Sequence, residues 1–208
     1  MSYTLLASPG SGSAIVEAML ALSGLPHAIE TMDPWTAGPS RERLRALNPL
    51  VQVPTLLLPD GSVMTESAAM VLHILDRRPD AGLAPAAADA ARPAFLRWLL
   101  FLVASLYPTF AFGDDPSRWV SDAAARDELR RQTDACRQSL WRQMEAALAP
   151  APWCLGGRLS ALDLYVGVMT HWRPRRAWFA EHCPKLHRVA LALDGEERLR
   201  PVWARNFP

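Results

Sequence analysis

The chain has 208 residues, half of them hydrophobic and 21% charged, with 22 Lys and Arg against 21 Asp and Glu for a net charge of +1. That length suffices for one domain or two with a sizeable core, and a balance without basic surplus or charge runs argues against nucleic acid or an anionic membrane as partner. No uncharged apolar run reaches about 18 residues, and no basic n-region leads to a cleavage site, so neither a transmembrane helix nor a signal peptide is indicated.

Tyr3 to Ala7 reads as a short apolar strand, broken by Ser8-Pro9-Gly10-Ser11-Gly12. Ala14 to Leu22 comes next as a helix with Ile15, Ala18, Met19 and Leu22 on one face. Gly24 suits a left-handed C-cap and Pro26 stops the helix, after which His27 to Met32 reads as a second strand. The opening is therefore β-α-β, the helix crossing between parallel strands. A Pro/Gly/Trp loop from Met32 to Ser40 leads to a short basic helix, Ser40 to Leu47, stopped before Asn48-Pro49.

The stretch Asn48 to Ser67, NPLVQVPTLLLPDGSVMTES, is the most informative. Thr55 to Leu58 is an apolar run, Pro59-Asp60-Gly61 is turn chemistry, and Ser62-Val63-Met64 is a returning strand, which together make a hairpin. From Glu66 a helix carries Ala68, Val71, Leu72 and Leu75 on one face, with Thr65 and Ser67 offering hydroxyls to its first N–H groups. Pro54 cannot donate a ladder hydrogen bond, so it belongs at a strand start, where Val53 presents its N–H and C=O to something other than a strand. Its X-Pro bond reaches cis for about 0.5–1 kcal/mol. A helix N-terminus with a free hydroxyl suits a carboxylate, Glu66 suits an ammonium, and bare main chain at Val53 can pair with a peptide. The competing reading makes Glu66 and Ser67 cap residues and Pro54 a strand starter.

Residues 79–94 are rich in Ala and Pro, and the chain beyond them reads as helical throughout, so a boundary is placed near residue 82. Phe95 to Phe112 is strongly apolar, with Trp98, Leu99, Leu102, Val103 and Leu106 as core candidates and Pro108 kinking or ending the helix. Asp122 to Ala149 reads as a long amphipathic helix with a stripe of Leu129, Cys136, Leu140, Met144 and Leu148. Ser160 is the N-cap of a further helix, with Asp163 in the place of the usual Glu or Gln and Leu159 set to staple Leu164, a folding device rather than a chemical one. Cys136, Cys154 and Cys183 lack CxxC or Cys/His ligand spacing, which predicts free thiols in a reducing cytoplasm and no metal.

VPTL, a hairpin and then ES at a helix start resemble the glutathione-binding half of the cytosolic glutathione S-transferases of bacterial type. The resemblance implies a fold class of α/β plus all-α: a thioredoxin-like domain over residues 1–82, ordered β-α-β-α-β-β-α, and an all-helical domain over 83–208. It implies that Pro54 is cis, that Val53 holds the cysteinyl part of glutathione by its main chain, and that Glu66 and Ser67 hold the γ-glutamyl end. Glutathione would be a co-substrate, a small hydrophobic electrophile the second substrate, and the protein a cytoplasmic homodimer.

Glutathione chemistry needs a thiolate, since a thiol with a pKa near 8.5 is only a few per cent ionised at neutral pH. The loop from Ser8 to Ser13, between the first strand and helix, is where a donor is expected. Counted back from Gly24-Leu25-Pro26, the serine of theta- and tau-like members falls on Gly10, the cysteine of beta-like members on Gly12, and the second serine of a zeta-like SSC on Ser11. Ser11 is the preferred catalytic candidate and Ser13 the next, though Ser13 also suits the helix N-cap; backbone N–H groups of the same loop offer a third route. Tyr107, Phe110 and Trp172, with His171 and Arg173, fall where the family builds its electrophile pocket, core packing being their other role. Trp35 and Arg41 are candidates for the glycyl carboxylate, while Tyr3 and His73 read as structural. The predicted activity is glutathione transfer to a small apolar electrophile. Gly10 and Gly12 favour a rival, a non-catalytic transferase-like binding protein, and glutathione-dependent isomerase, peroxidase and disulfide reductase chemistry stay open on the same fold.

Overall fold

The computed structural model describes residues 2–208; Met1, which opens the first expected domain, lies outside the described residues. Strand β1 (Tyr3–Ala7), helix α1 (Ser13–Ser23) and strand β2 (His27–Thr31) form the β-α-β opening, with β1 and β2 parallel and Tyr3 opposite His27. Helix α2 (Pro39–Leu47), strands β3 (Thr55–Leu57) and β4 (Val63–Met64) and helix α3 (Ser67–Arg77) come next. The four strands lie in the order β2-β1-β3-β4, with β3 antiparallel to both neighbours. This thioredoxin-like sheet is covered on both faces, as the period of two dictates. Tyr3, Leu5 and Ala7 face the cluster that holds α1 and α3, while Leu6 packs with Met32 and Leu44 of the α2 side.

The rest is helical. Helix α4 (Arg92–Phe101), a wide π turn over Leu102–Leu106 and helix α5 (Tyr107–Asp114) run on without a break. The helix begins three residues before Phe95, with Pro93 in a first turn where its missing N–H is harmless. Pro108 does not end it; the π turn absorbs the lost donor. By length and composition alone this helix is long and apolar enough to cross a membrane, but Phe95, Trp98, Leu99, Leu102 and Leu106 are buried in the protein core.

Helix α6 (Ala123–Ala147) is capped by the Asp122 side chain, which accepts from the Ala125 N–H at 2.8 Å. Its buried face is Arg137, Trp141 and Met144, with Leu148 buried just past its end, which corrects the expected stripe: Cys136 is exposed and Leu129 and Leu140 are half-buried. Arg137 takes the inward position because its charge is partnered there. Its Nη2 and Nε donate to the carbonyl and hydroxyl of Thr109 at 2.7 and 3.0 Å, and its guanidinium pairs with Asp134 and lies over the Phe110 ring.

Helices α7 (Ala161–Met169), α8 (Arg176–His182), α9 (Pro184–Asp194) and α10 (Arg200–Asn206) complete the chain. Every residue of α7 is buried, and α7 packs on α1 and α9, joining the sheet half to the helical half. The expected capping device is in place. Asp163 accepts from the Ser160 N–H at 2.7 Å and hydroxyl at 2.9 Å, and from the Cys154 N–H at 2.7 Å. All three cysteines are free; burial raises the pKa of the Cys154 thiol and pushes Cys183 up to about 12.

Candidate active site

Two open features meet where the sheet faces the helical half. The first is a ledge. Val53-Pro54 is a cis peptide, and among the described residues the Val53 N–H and C=O make no hydrogen bond. The loop before it is fixed from within by Asn48, which sequence reasoning did not single out. Its buried amide donates to the Gln52 carbonyl and the Thr55 hydroxyl, both at 3.1 Å, and its Oδ1 accepts from the Leu50 N–H at 3.1 Å. An Asn ahead of a Pro in a loop is the available signal.

Beside this loop, Glu66 stands exposed at φ 67°, a conformation costly for a residue with a Cβ and characteristic of functional turns. It precedes α3, whose first N–H groups receive no side-chain cap from Thr65 or Ser67. Ser67 is engaged elsewhere: its Oγ accepts the hydroxyl of Tyr165, a buried residue of α7, at 2.9 Å. With an acceptor site filled, the Ser67 proton is free to be donated outward.

The second feature is a cavity of about 860 Å³ between the halves, lined by Ser11, Gly12, Tyr107, Phe110, His171 and Trp172 among others. The sequence candidates thus divide into two groups. Ser11, Tyr107, Phe110 and Trp172 share this cavity; Val53, Pro54, Glu66 and Ser67 form the ledge outside it; Ser13 is fully buried. Edge-to-face contacts join Tyr107 to Trp172 at 5.8 Å and Phe110 to Trp172 at 5.3 Å, so these aromatics are both wall and packing. Trp35 lines the rim and is 71% exposed, while Arg41 donates back to the Pro34 carbonyl at 3.1 Å. His171 stacks on Phe207 at 3.8 Å, and burial, aided by the Arg176 guanidinium, lowers its pKa to about 4. Tyr3 and His73 bond to each other at 3.1 Å, in keeping with structural roles.

The loop between β1 and α1 is held by residues far along the chain. Gly10, at φ 74°, donates its N–H to Asn206 at 3.2 Å and accepts at its carbonyl from the Trp172 indole at 2.8 Å. The Ser11 and Ser13 hydroxyls lie 2.7 and 3.0 Å from the Ser8 carbonyl and 2.8 Å from each other, so their two protons are shared among these three inward contacts. The N-cap of α1 is Gly12 rather than Ser13, and no acceptor meets the Gly12 N–H among the described residues. A Cβ on Gly12 would stand 2.7 Å from the Tyr107 hydroxyl, which explains why a side chain is missing there. None of the three cysteines lines the cavity, and no His/Cys/Asp/Glu group suited to a metal occurs among the described residues.

The family model described as glutathione S-transferase, N-terminal domain, matches residues 13–77. An uncharacterised GST-like protein of Escherichia coli K12, YncG, is 40% identical over 199 residues, 95% of each chain. Among solved structures, a Sulfitobacter glutathione transferase homologue with bound glutathione shares the fold at a TM-score of 0.87 and 23% identity, covering 98% of this chain and 97% of its own. A sphingomonad glutathione S-transferase complexed with glutathione superposes at 0.79 with 25% identity, covering 99% of this chain and all of its own. With the cis-Pro54 ledge, the uncapped start of α3 and the cavity between the two halves, these likenesses lead to one conclusion: the chain belongs to the bacterial-type cytosolic glutathione S-transferase family.

Proposed function

We propose that the protein is a glutathione transferase, attaching the glutathione sulfur to a small apolar electrophile. The tripeptide lies along the ledge, its cysteinyl amide paired with the Val53 main chain at Pro54. Its γ-glutamyl carboxylate takes the Ser67 hydroxyl and the first N–H groups of α3, and Glu66 takes the ammonium. The sulfur then falls at the Ser8–Ser13 loop. There Ser11 and the Gly12 N–H are the loop's donors, and Ser13 keeps the Ser8 carbonyl satisfied if Ser11 turns to the sulfur. Tyr107, Phe110 and Trp172 offer the electrophile an apolar wall. We also place the domain boundary near residue 82, and take the working form to be a cytoplasmic homodimer.

The observation that carries this reading is the pairing of an unbonded Val53 main chain with a Ser67 hydroxyl whose proton is free for a carboxylate. Retention on immobilised glutathione and then turnover of chlorodinitrobenzene test it. Failure to be retained would refute it. The inward bonds of both loop serines favour a second reading, a glutathione-binding protein without transferase turnover, for which retention without turnover is the signature.

A further inference from the structure

Among the described residues three buried side-chain polar atoms have no hydrogen-bond partner: the Tyr107 hydroxyl, the Trp141 indole N–H and the Arg176 Nε. Of these residues only Tyr107 lines the cavity, and it does so against the loop between β1 and α1. An orphaned buried hydroxyl costs about 1–3 kcal/mol, so its persistence calls for an acceptor that the empty protein lacks.

The backbone is built to put the hydroxyl there. The π turn ends with the Tyr107 N–H bonded to the carbonyl of Leu102, five residues back, and Pro108 next in line has no N–H to restore the ordinary register. The resulting turn aims the ring at the domain junction, where it meets Tyr165 at 6.4 Å and Trp172 at 5.8 Å. Gly12 leaves room for it: the hydroxyl occupies the space into which a residue 12 side chain would project. Beside it the Gly12 N–H is also without an acceptor among the described residues, whereas the Ser11 and Ser13 hydroxyls are engaged with the Ser8 carbonyl and with each other.

We propose that the Tyr107 hydroxyl, supplied by the helical half, is the side-chain donor to the glutathione thiolate, acting with the Gly12 N–H. This rests on the glutathione reading above and changes the role of Tyr107 from electrophile wall to thiol activation. The thiol proton leaves to solvent; Tyr107 keeps its own, and burial, which raises its pKa well above the ordinary tyrosine value, holds it as a donor. The sulfur enters between ring and loop, replacing the contact that seals the hydroxyl against Gly12.

The test is Tyr107→Phe, which removes one oxygen and keeps the ring, beside Ser11→Ala and the wild type. The pH titration of thiolate ultraviolet absorbance in the glutathione complex gives the sulfur's apparent pKa. Tyr107→Phe should raise it by about one unit or more, lowering kcat/KM for chlorodinitrobenzene about tenfold below that pKa. Ser11→Ala should move it less. The melting temperature should hold or rise in Tyr107→Phe, because an orphan is removed rather than a bond. Glutathione binding with an unchanged sulfur pKa in Tyr107→Phe, or the whole shift appearing in Ser11→Ala, overturns this inference alone. A wild type that binds no glutathione overturns the parent reading and this one with it.

Discussion

Asp163→Asn tests how the helix that joins the two halves is held. The Asp163 carboxylate is fully buried and accepts three hydrogen bonds, from the Cys154 N–H, the Ser160 N–H and the Ser160 hydroxyl. An amide keeps one oxygen and turns an NH2 group toward one of two backbone N–H groups. The serine hydroxyl can rotate and adapt; the backbone donor cannot. One buried N–H is therefore orphaned and opposed by another donor, a loss of about 3 kcal/mol at the upper end for an unsatisfied group. At about 2–4 °C per kcal/mol for a chain of this size, the melting temperature should fall by roughly 6–12 °C. Ser160→Ala removes one hydroxyl and should cost about 1 kcal/mol. Thermal melts monitored by far-ultraviolet circular dichroism give both numbers. Burial raises the Asp163 pKa despite its donors, so the unfolded carboxyl ionises first. Its linked contribution is full below the ordinary carboxylate pKa and is lost as pH rises through the raised value, a slope that Asp163→Asn should remove. An unchanged melting temperature in Asp163→Asn, or a larger loss in Ser160→Ala, would refute this account of the cap.

Tyr165→Phe should raise the KM for glutathione about two- to tenfold with kcat nearly intact, since the Tyr165 hydroxyl orients Ser67, and a hydrogen bond is worth about 0.5–1.5 kcal/mol. Tyr165→Phe with Ser67→Ala should bind no more weakly than Ser67→Ala alone; additive losses would show that the two hydroxyls act separately. His171, with its pKa lowered to about 4, leaves the folded protein short of a proton that the unfolded chain takes up near 6.5. Its linked stability is present above pH 6.5 and disappears between 6.5 and 4, and His171→Asn should flatten that limb of a melting-temperature profile. Gly167→Ala would drive a methyl into the buried Leu193 side chain, and calorimetry should register a loss of about 1–3 kcal/mol; no loss would mean that α7 and α9 have room to separate.

Features encoded by neighbouring residues were legible in the sequence. The hairpin after Pro54, the start of α3 and the Ser160–Asp163 cap each depend on residues within a few positions of one another. Periodicity was less exact: the buried residues of α3 are Met70, Val71, Ile74 and Leu75, where Ala68, Val71, Leu72 and Leu75 were expected, and α1 is buried on almost every side. Tyr107, Phe110 and Trp172, far apart in the sequence, line one cavity, Tyr107 and Phe110 from α5 and Trp172 from the turn after α7. The features that escaped depend on distant partners or on direction. Arg137 reads as surface until Thr109 and Asp134 are beside it. Tyr165 reaches Ser67 across 98 positions, and Asn206 reaches Gly10 across 196. Hydroxyls at Ser11 and Ser13 were visible in the sequence; that both would turn to the Ser8 carbonyl was not, since side-chain direction is set by the surrounding fold. Gly12 looked like the loss of a catalytic side chain and is, in the folded chain, the space that Tyr107 needs.

A crystal structure of the protein soaked with reduced glutathione tests the central claim most directly. The account predicts the cysteinyl amide on the Val53 main chain, the γ-glutamyl carboxylate at Ser67 and the sulfur beside Gly12. A ledge left empty at saturating glutathione, or a tripeptide bound with its carboxylate away from Ser67, would contradict it.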